Sequence, residues 1–160
     1  MCPIVIPFTP SALGRVEFLV EVMTGDKKSF DTVRFKLDSG SDFTTLSCED
    51  LDNLGYSEEY LRSCKVHGKA HTATSVEVDL QYIEGVSIKF GDRELQGCRI
   101  FFALGSGMRS LFGSDILKYF NREINYDKGE LRLDLTENPP GLAQNETPIQ
   151  IYSVSNELIG

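Results

Sequence analysis

The sequence predicts an all-β fold with one or two short helices. Hydrophobic residues alternate with polar ones along most of the chain, and only two stretches have helical spacing. The 160 residues are enough for one domain with a core of its own. Many short strands with one small helix near the end indicate a closed or folded β architecture.

Strands are predicted wherever apolar side chains recur at every second position. They cover residues 4–8, 16–22, 33–37, 76–82, 86–90, 98–102, 124–126 and 131–135. Asp127-Lys128-Gly129 separates the last two strands and is short enough to close a hairpin, with Gly129 at positive φ.

Two helices are predicted between these strands. Residues 49–63 follow Ser47, which is a suitable N-cap, and Gly55 interrupts their apolar spacing. Residues 114–120 form a second short helix, with Ser114 as its cap and Asp115 near the positive end of its dipole.

The C-terminal part of the chain has a different composition. A linker is predicted near Pro139-Pro140-Gly141, followed by one more strand over residues 149–154. The predicted organisation is therefore a domain over residues 1–136 and a C-terminal linker with an extra strand over residues 137–160.

Composition excludes several classes of function. A net charge of −8 without a basic block disfavours binding to nucleic acid, and no apolar run approaches the roughly 18 residues that cross a membrane. The first residues, broken by Pro3 and Pro7, do not resemble a signal peptide. The four cysteines are far apart, which predicts reduced thiols in a cytoplasmic protein and neither a zinc site nor a disulfide framework.

The tripeptide Asp38-Ser39-Gly40 directly follows the predicted strand at residues 33–37. An aspartate at a strand end can turn out of the sheet while neighbouring backbone N–H groups support its carboxylate. Gly40 permits close backbone approach. Asp, Ser and Gly are also ordinary turn residues, so turn statistics favour a plain turn for the tripeptide by itself.

The wider context distinguishes these readings. The segment that begins with Asp38-Ser39-Gly40-Ser41 and continues to Thr44-Thr45-Leu46-Ser47 resembles the active-site segment of retropepsin-like aspartic proteases. The family's second signature is two apolar residues, glycine, any residue, Asp or Asn, and a short helix. Residues 111–117, Leu-Phe-Gly-Ser-Asp-Ile-Leu, match it in the same order. The resemblance spans residues 15–135.

This resemblance implies a small closed β-barrel and an aspartic endopeptidase that hydrolyses peptide bonds without a metal or other cofactor. Asp38 is the implied catalytic residue, supported by Ser39, Gly40, Gly113 and Asp115. The chemistry needs two facing carboxylates that share one proton. Because the chain contains a single Asp-Ser-Gly, a two-fold homodimer must supply the second Asp38.

The resemblance also implies contacts with an extended polypeptide substrate. Gly40, Ser41 and Asp42 match positions that line the cleft. A covering flap, a β-hairpin, is expected near residues 65–74, where the substrate would meet His67, Gly68, Lys69 and Ala70. Unlike the viral enzymes, this stretch lacks a glycine-rich tip.

Several alternatives remain open from the residues alone. The glycine-poor flap and Ser39, where threonine is commoner, are compatible with an inactive module that dimerises or binds peptides. His67 and His71 would converge on a metal only in a helix, and no further ligand completes a set. No Gly-x-Ser-x-Gly elbow supports a Ser/His/Asp triad, and no Lys-Ser/Thr follows Gly105-Ser106-Gly107 to bind phosphate.

Overall fold

The computed structural model describes residues 3–10, 14–24, 29–71, 75–90, 93–136 and 150–153. Within these ranges the strands are β1 (Ile4–Pro7), β2 (Thr9–Pro10), β3 (Val16–Met23), β4 (Asp31–Leu37), β5 (Lys65–His71), β6 (Glu77–Phe90), β7 (Arg93–Phe102), β8 (Leu111–Phe112), β9 (Phe120–Asn125), β10 (Glu130–Leu135) and β11 (Gln150–Ser153). The helices are α1 (Cys48–Asn53), α2 (Glu58–Ser63) and α3 (Ser114–Leu117). The predicted, mainly β architecture with short helices is confirmed.

The strands form two sheets, whereas the resemblance implied a single closed barrel. The smaller sheet has the order β1-β10-β9 and is antiparallel throughout. The larger sheet has the order β11-β7-β6-β3-β4-β8, with β2 added to β3 and β5 added to β6. Within the described residues no closed barrel is found, because β8 and β11, at the two ends of this order, do not pair with each other.

The core lies beneath the alternating faces of the strands. In β3 every second residue from Val16 to Val22 is buried, while Leu19 and Glu21 face outward. The Phe112 ring meets the rings of Phe18 and Phe35 edge-on, with centroids 5.5 and 5.8 Å away. Full burial of such a side chain contributes about 1.5–3 kcal/mol, so this cluster anchors the short strand β8 beside β4.

The predicted helix at residues 49–63 is two helices. Ser47 caps α1, as predicted, by accepting a hydrogen bond from the Asp50 N–H at 3.1 Å. After Leu54 the chain turns through Gly55, whose φ of +91° is incompatible with a continuing right-handed helix. Ser57 then caps α2 by accepting from the Tyr60 N–H.

The helix predicted at residues 114–120 is shorter, and its predicted cap is wrong. Gly113 occupies the N-cap position and Ser114 is the first helical residue. The Ser114 N–H donates to the Ser41 carbonyl at 2.8 Å, so a neighbouring loop provides the acceptor for an N–H group that has no partner within the helix. The chain leaves the helix after Leu117, and buried Phe120 begins β9, where it pairs with Leu135.

The two strands predicted at residues 76–82 and 86–90 are one long strand, β6. The strand continues through the expected break, where Gly85 has a φ of +68° and the register of pairing shifts on either side of Val86. The β9–β10 hairpin is confirmed, with Gly129 at φ of +64°. Backbone pairing of Gln150 with Gln96 places β11 against β7, in agreement with the predicted C-terminal strand.

Some predicted segments lie outside the described residues. These are the linker near residues 137–147 and the part of the predicted flap at residues 72–74. In the part of the chain that is described, no helix is both long enough and apolar enough to cross a membrane.

Three cysteines in the described residues have free thiols. Cys98 is buried, which raises the pKa of its thiol, and Cys48 and Cys64 are only partly buried.

Candidate active site

The two motifs singled out in the sequence lie at the same edge of the larger sheet. Strands β4 and β8 run parallel, with Leu37 opposite Phe112. The carboxyl ends of parallel neighbours meet at one edge. Asp38, directly after β4, and Gly113, directly after β8, are therefore adjacent turns, although 75 positions separate them in the sequence. The Asp38 N–H donates to the Phe112 carbonyl at 3.1 Å, which extends the pairing by one step.

The loop that carries Asp38 is held by its own backbone. The Gly40 N–H donates to Oδ1 of Asp38 at 3.1 Å, and the Ser41 N–H donates to the Asp38 carbonyl at 3.1 Å. The Asp38 side chain is half-buried, whereas Ser39 and Gly40 are exposed. This arrangement fixes one carboxylate oxygen and leaves Ser39 and Gly40 on an accessible surface.

Gly113 packs directly against this loop. A Cβ atom at this position would overlap the carbonyl oxygen of Phe43 and would lie 2.9 Å from that of Ser41. The φ of Gly113 is −100°, so contact with the loop, not backbone conformation, requires glycine here. The glycine of the second motif thus permits α3 to begin against the Asp38 loop.

Asp115 is joined to the same loop by Thr44. The buried Thr44 hydroxyl donates to Oδ1 of Asp115 at 2.7 Å and accepts from the Gly113 N–H at 3.0 Å. Burial raises the pKa of the Asp115 carboxyl, and hydrogen bonds from Thr44 and the Ile116 N–H oppose this rise in part. Asp115 therefore supports the loop from inside the molecule.

The next residues of the Asp38 loop have contrasting environments. Ser41 is partly buried: its carbonyl accepts from the Ser114 N–H, and its hydroxyl donates to the Phe43 carbonyl at 2.8 Å. Asp42 is exposed. Ser41 is thus part of the internal support, while Asp42 presents its carboxylate to solvent.

The predicted flap is a hairpin formed by β5 and the first part of β6. From β5, exposed His67 meets the rings of Phe43 and Phe101 edge-on, with centroids 5.1 and 5.5 Å away. Farther along the hairpin, Lys69 forms an ion pair with Asp79 at 2.5 Å. Of the four flap residues predicted from the sequence, His67 is the one with a described contact to the Asp38 loop.

Gly68 and Ala70, the other two predicted flap residues, are partly buried. Gly68 lies where the register of the β5–β6 pairing shifts, and its φ is +154°. A glycine at such a shift bends the strand and leaves no side chain to face a ligand. A substrate contact at this position would therefore involve the backbone.

Sequence reasoning missed three residues that organise this site: Phe43, Thr44 and Phe101. The Phe43 and Phe101 rings lie 4.6 Å apart. Backbone hydrogen bonds join residues 44–46 to Phe101 in β7 and to Leu111 in β8. They hold this part of the Asp38 loop between the two strands. The adjacent threonines Thr44-Thr45 were a signal for this segment, but the pattern did not reveal their partners.

Across the described ranges, no group of three or more His, Cys, Asp or Glu side chains is placed to bind a metal.

Neither a protein-family model nor a curated protein matches the sequence. Among solved structures, the chain is similar to the crystal structure of a retropepsin-like aspartic protease from Rickettsia conorii. The fold is retropepsin-like. The TM-score is 0.53, the match covers 82% of this chain and 90% of that chain, and the sequences are 21% identical. The likeness of the two motifs therefore extends to the three-dimensional fold.

Proposed function

We propose that the protein is an aspartic endopeptidase that works as a homodimer, with one Asp38 from each chain. The observation that carries this proposal is the position of Asp38, at a sheet edge beside the turn that begins with Gly113. Ser39 and Gly40 are exposed next to it, where a second copy can approach. The retropepsin-like fold of the chain supports the same conclusion.

The proposed chemistry uses a shared proton. Two Asp38 carboxyl groups at contact distance cannot both ionise, because the charge of one raises the pKa of the other. The ionised carboxylate takes a proton from a water molecule, which attacks the peptide carbonyl carbon. The protonated carboxyl donates to the carbonyl oxygen. Gly40, whose N–H donates to Asp38 Oδ1, holds each carboxylate in orientation.

The proposed substrate is an extended polypeptide between the Asp38 loop and the flap hairpin. Gly40, Ser41 and Asp42 would contact it from the loop, and residues of β5 would contact it from above. Extended peptides bind such surfaces through main-chain hydrogen bonds, while side-chain pockets provide specificity. Beneath this surface, buried Thr44 and its hydrogen-bond partner Asp115 would keep the loop in place.

The test is the substitution Asp38→Asn. The asparagine retains an Oδ1 acceptor for the Gly40 N–H, so the loop and the dimer should persist, while general acid–base catalysis is lost. Cleavage of an unfolded protein panel, assayed from pH 3 to 7, should fall by about 10²–10⁴-fold. Asp52→Asn, an exposed carboxylate on α1, is the matched control and should cleave like wild type.

Two outcomes would contradict this proposal. Full peptide hydrolysis by Asp38→Asn would exclude Asp38 as the catalytic group. A competent pair of Asp38 carboxyl groups should also bind a statine-containing, pepstatin-type inhibitor, since such inhibitors mimic the transition state, so a wild type that neither binds the inhibitor nor cleaves the panel would instead support an inactive dimerisation or peptide-binding module.

A further inference from the structure

A pocket of about 250 Å³ lies between the Asp38 loop, strand β5 of the flap hairpin and α3. Phe43, Phe101 and Tyr119 line it, together with His67 and Ser114. We call it the side pocket. It adjoins the proposed peptide-binding surface, because Asp42 and His67, both proposed to meet substrate, are among its lining residues.

The size of the side pocket suits one large side chain. Small-molecule sites typically occupy ~300–1,000 Å³, whereas an apolar cavity of about 150 Å³ is enough to bind benzene. The observed volume lies between these values. It can therefore receive an aromatic ring together with the carbon atom that joins the ring to a peptide backbone.

The aromatic walls favour a ring over an aliphatic chain. Phe43 and Phe101 lie 4.6 Å apart with a tilt of 48°, and His67 meets both rings edge-on. Aromatic side chains prefer such tilted and edge-to-face neighbours. A ring entering from the substrate would extend this cluster with the same geometry.

Charged side chains of both signs line the side pocket. Asp42 and Asp115 contribute carboxyl groups, and Arg99 and Lys118 contribute cations. Arg99 is already engaged, since it forms an ion pair with Glu84 at 3.2 Å and lies over the Tyr82 ring. A charged substrate side chain would meet like and opposite charges together and gain little.

We propose that the side pocket selects a bulky aromatic residue, phenylalanine or tyrosine, in the polypeptide substrate. This inference rests on the proposed function, because it assigns the side-chain preference of that same cleft. Phe43, His67 and Phe101 are then the residues that determine specificity, and the protein prefers substrates with an aromatic side chain at the one position that enters the side pocket.

The test uses hexapeptides with a central statine residue, in which each other position is in turn Phe, Tyr, Leu, Ala, Lys or Glu. At one position, Phe and Tyr should bind wild type at least about tenfold more tightly than Ala, Lys or Glu. His67→Trp narrows the pocket and Phe43→Ala removes a wall, so both should abolish this preference. Val66 lies in β5 like His67 but does not line the pocket, so Val66→Trp should retain the aromatic preference.

Either of two results would overturn the inference: no aromatic preference at any position, or a preference that survives in both His67→Trp and Phe43→Ala. If wild type neither cleaves protein nor binds statine peptides, the proposed function fails by itself. The pocket is then tested with statine-free hexapeptides that contain Phe. Shifts of the Phe43, His67 and Tyr119 backbone amide signals on adding these peptides would still support the pocket, and unchanged signals would exclude it.

Discussion

The Thr44 hydroxyl donates a hydrogen bond to the Asp115 carboxylate at 2.7 Å, across a sequence separation of 71 residues. The same oxygen accepts from the Gly113 N–H. One buried side chain thus connects the loop after β4 to the beginning of α3. Because Asp38 lies on that loop, this link helps to hold the proposed catalytic carboxylate in place.

Replacement of Thr44 by valine should destabilise the protein. Valine has nearly the same shape but cannot donate to Asp115 or accept from Gly113, so two buried polar groups lose a partner. The expected loss in the free energy of unfolding is about 1–3 kcal/mol. Urea unfolding measures it. Thr32→Val, at an exposed position of β4, is the matched control and should stay within about 0.5 kcal/mol of wild type. Equal effects of the two substitutions would contradict a role for the hydroxyl.

Replacement of Asp115 by asparagine should change the pH dependence of stability. Burial raises the pKa of Asp115, so its contribution to folding is present below the ordinary carboxyl pKa of about 4 and is lost as the pH rises through the folded-state value. Asparagine keeps the Oδ1 acceptor for Thr44 and cannot ionise.

The Asp115→Asn variant should therefore gain stability relative to wild type as the pH is raised from 4 to 7. Urea unfolding across this range measures the difference, with exposed Asp52→Asn as the control for the loss of one negative charge. A difference that is constant with pH, or that shrinks as the pH rises, would refute the assignment.

Replacement of Gly113 by alanine should displace the Asp38 loop. The added methyl group would overlap the Phe43 carbonyl oxygen, and backbone on both sides leaves little room for adjustment. Overpacking of this kind costs about 1–3 kcal/mol or more. Thermal unfolding compares it with Gly107→Ala, where the new Cβ meets open space. A Gly113→Ala protein as stable as Gly107→Ala would show that the loop tolerates a side chain.

Mixed dimers should be inactive if each active site needs two Asp38 residues. When wild type and Asp38→Asn chains are refolded together at a constant total concentration, proteolytic activity should fall as the square of the wild-type fraction. Peptide hydrolysis measures this dependence. A mixture with Asp52→Asn should keep full activity at every ratio. A linear decline with Asp38→Asn would mean that one chain suffices.

Local patterns in the sequence determined much of the fold. Period-two alternation identified most strands, because a strand with one buried face must alternate. Gly129 marked the hairpin that it closes, and Ser47 marked the beginning of α1. Errors arose where tertiary contacts replaced local signals. The Ser114 N–H is satisfied by the Ser41 carbonyl, so the helix needs no side-chain cap there.

The sequence by itself also singled out the candidate site, since two motifs in the family's order favour an active-site loop over a plain turn at Asp38-Ser39-Gly40. Tertiary structure alone decided their neighbours. Parallel pairing of β4 and β8 makes the motifs adjacent, Thr44 finds Asp115, and Phe43, His67 and Phe101 form the side pocket. These contacts join residues that are distant along the chain, and they depend on strand order and packing, which no local pattern encodes.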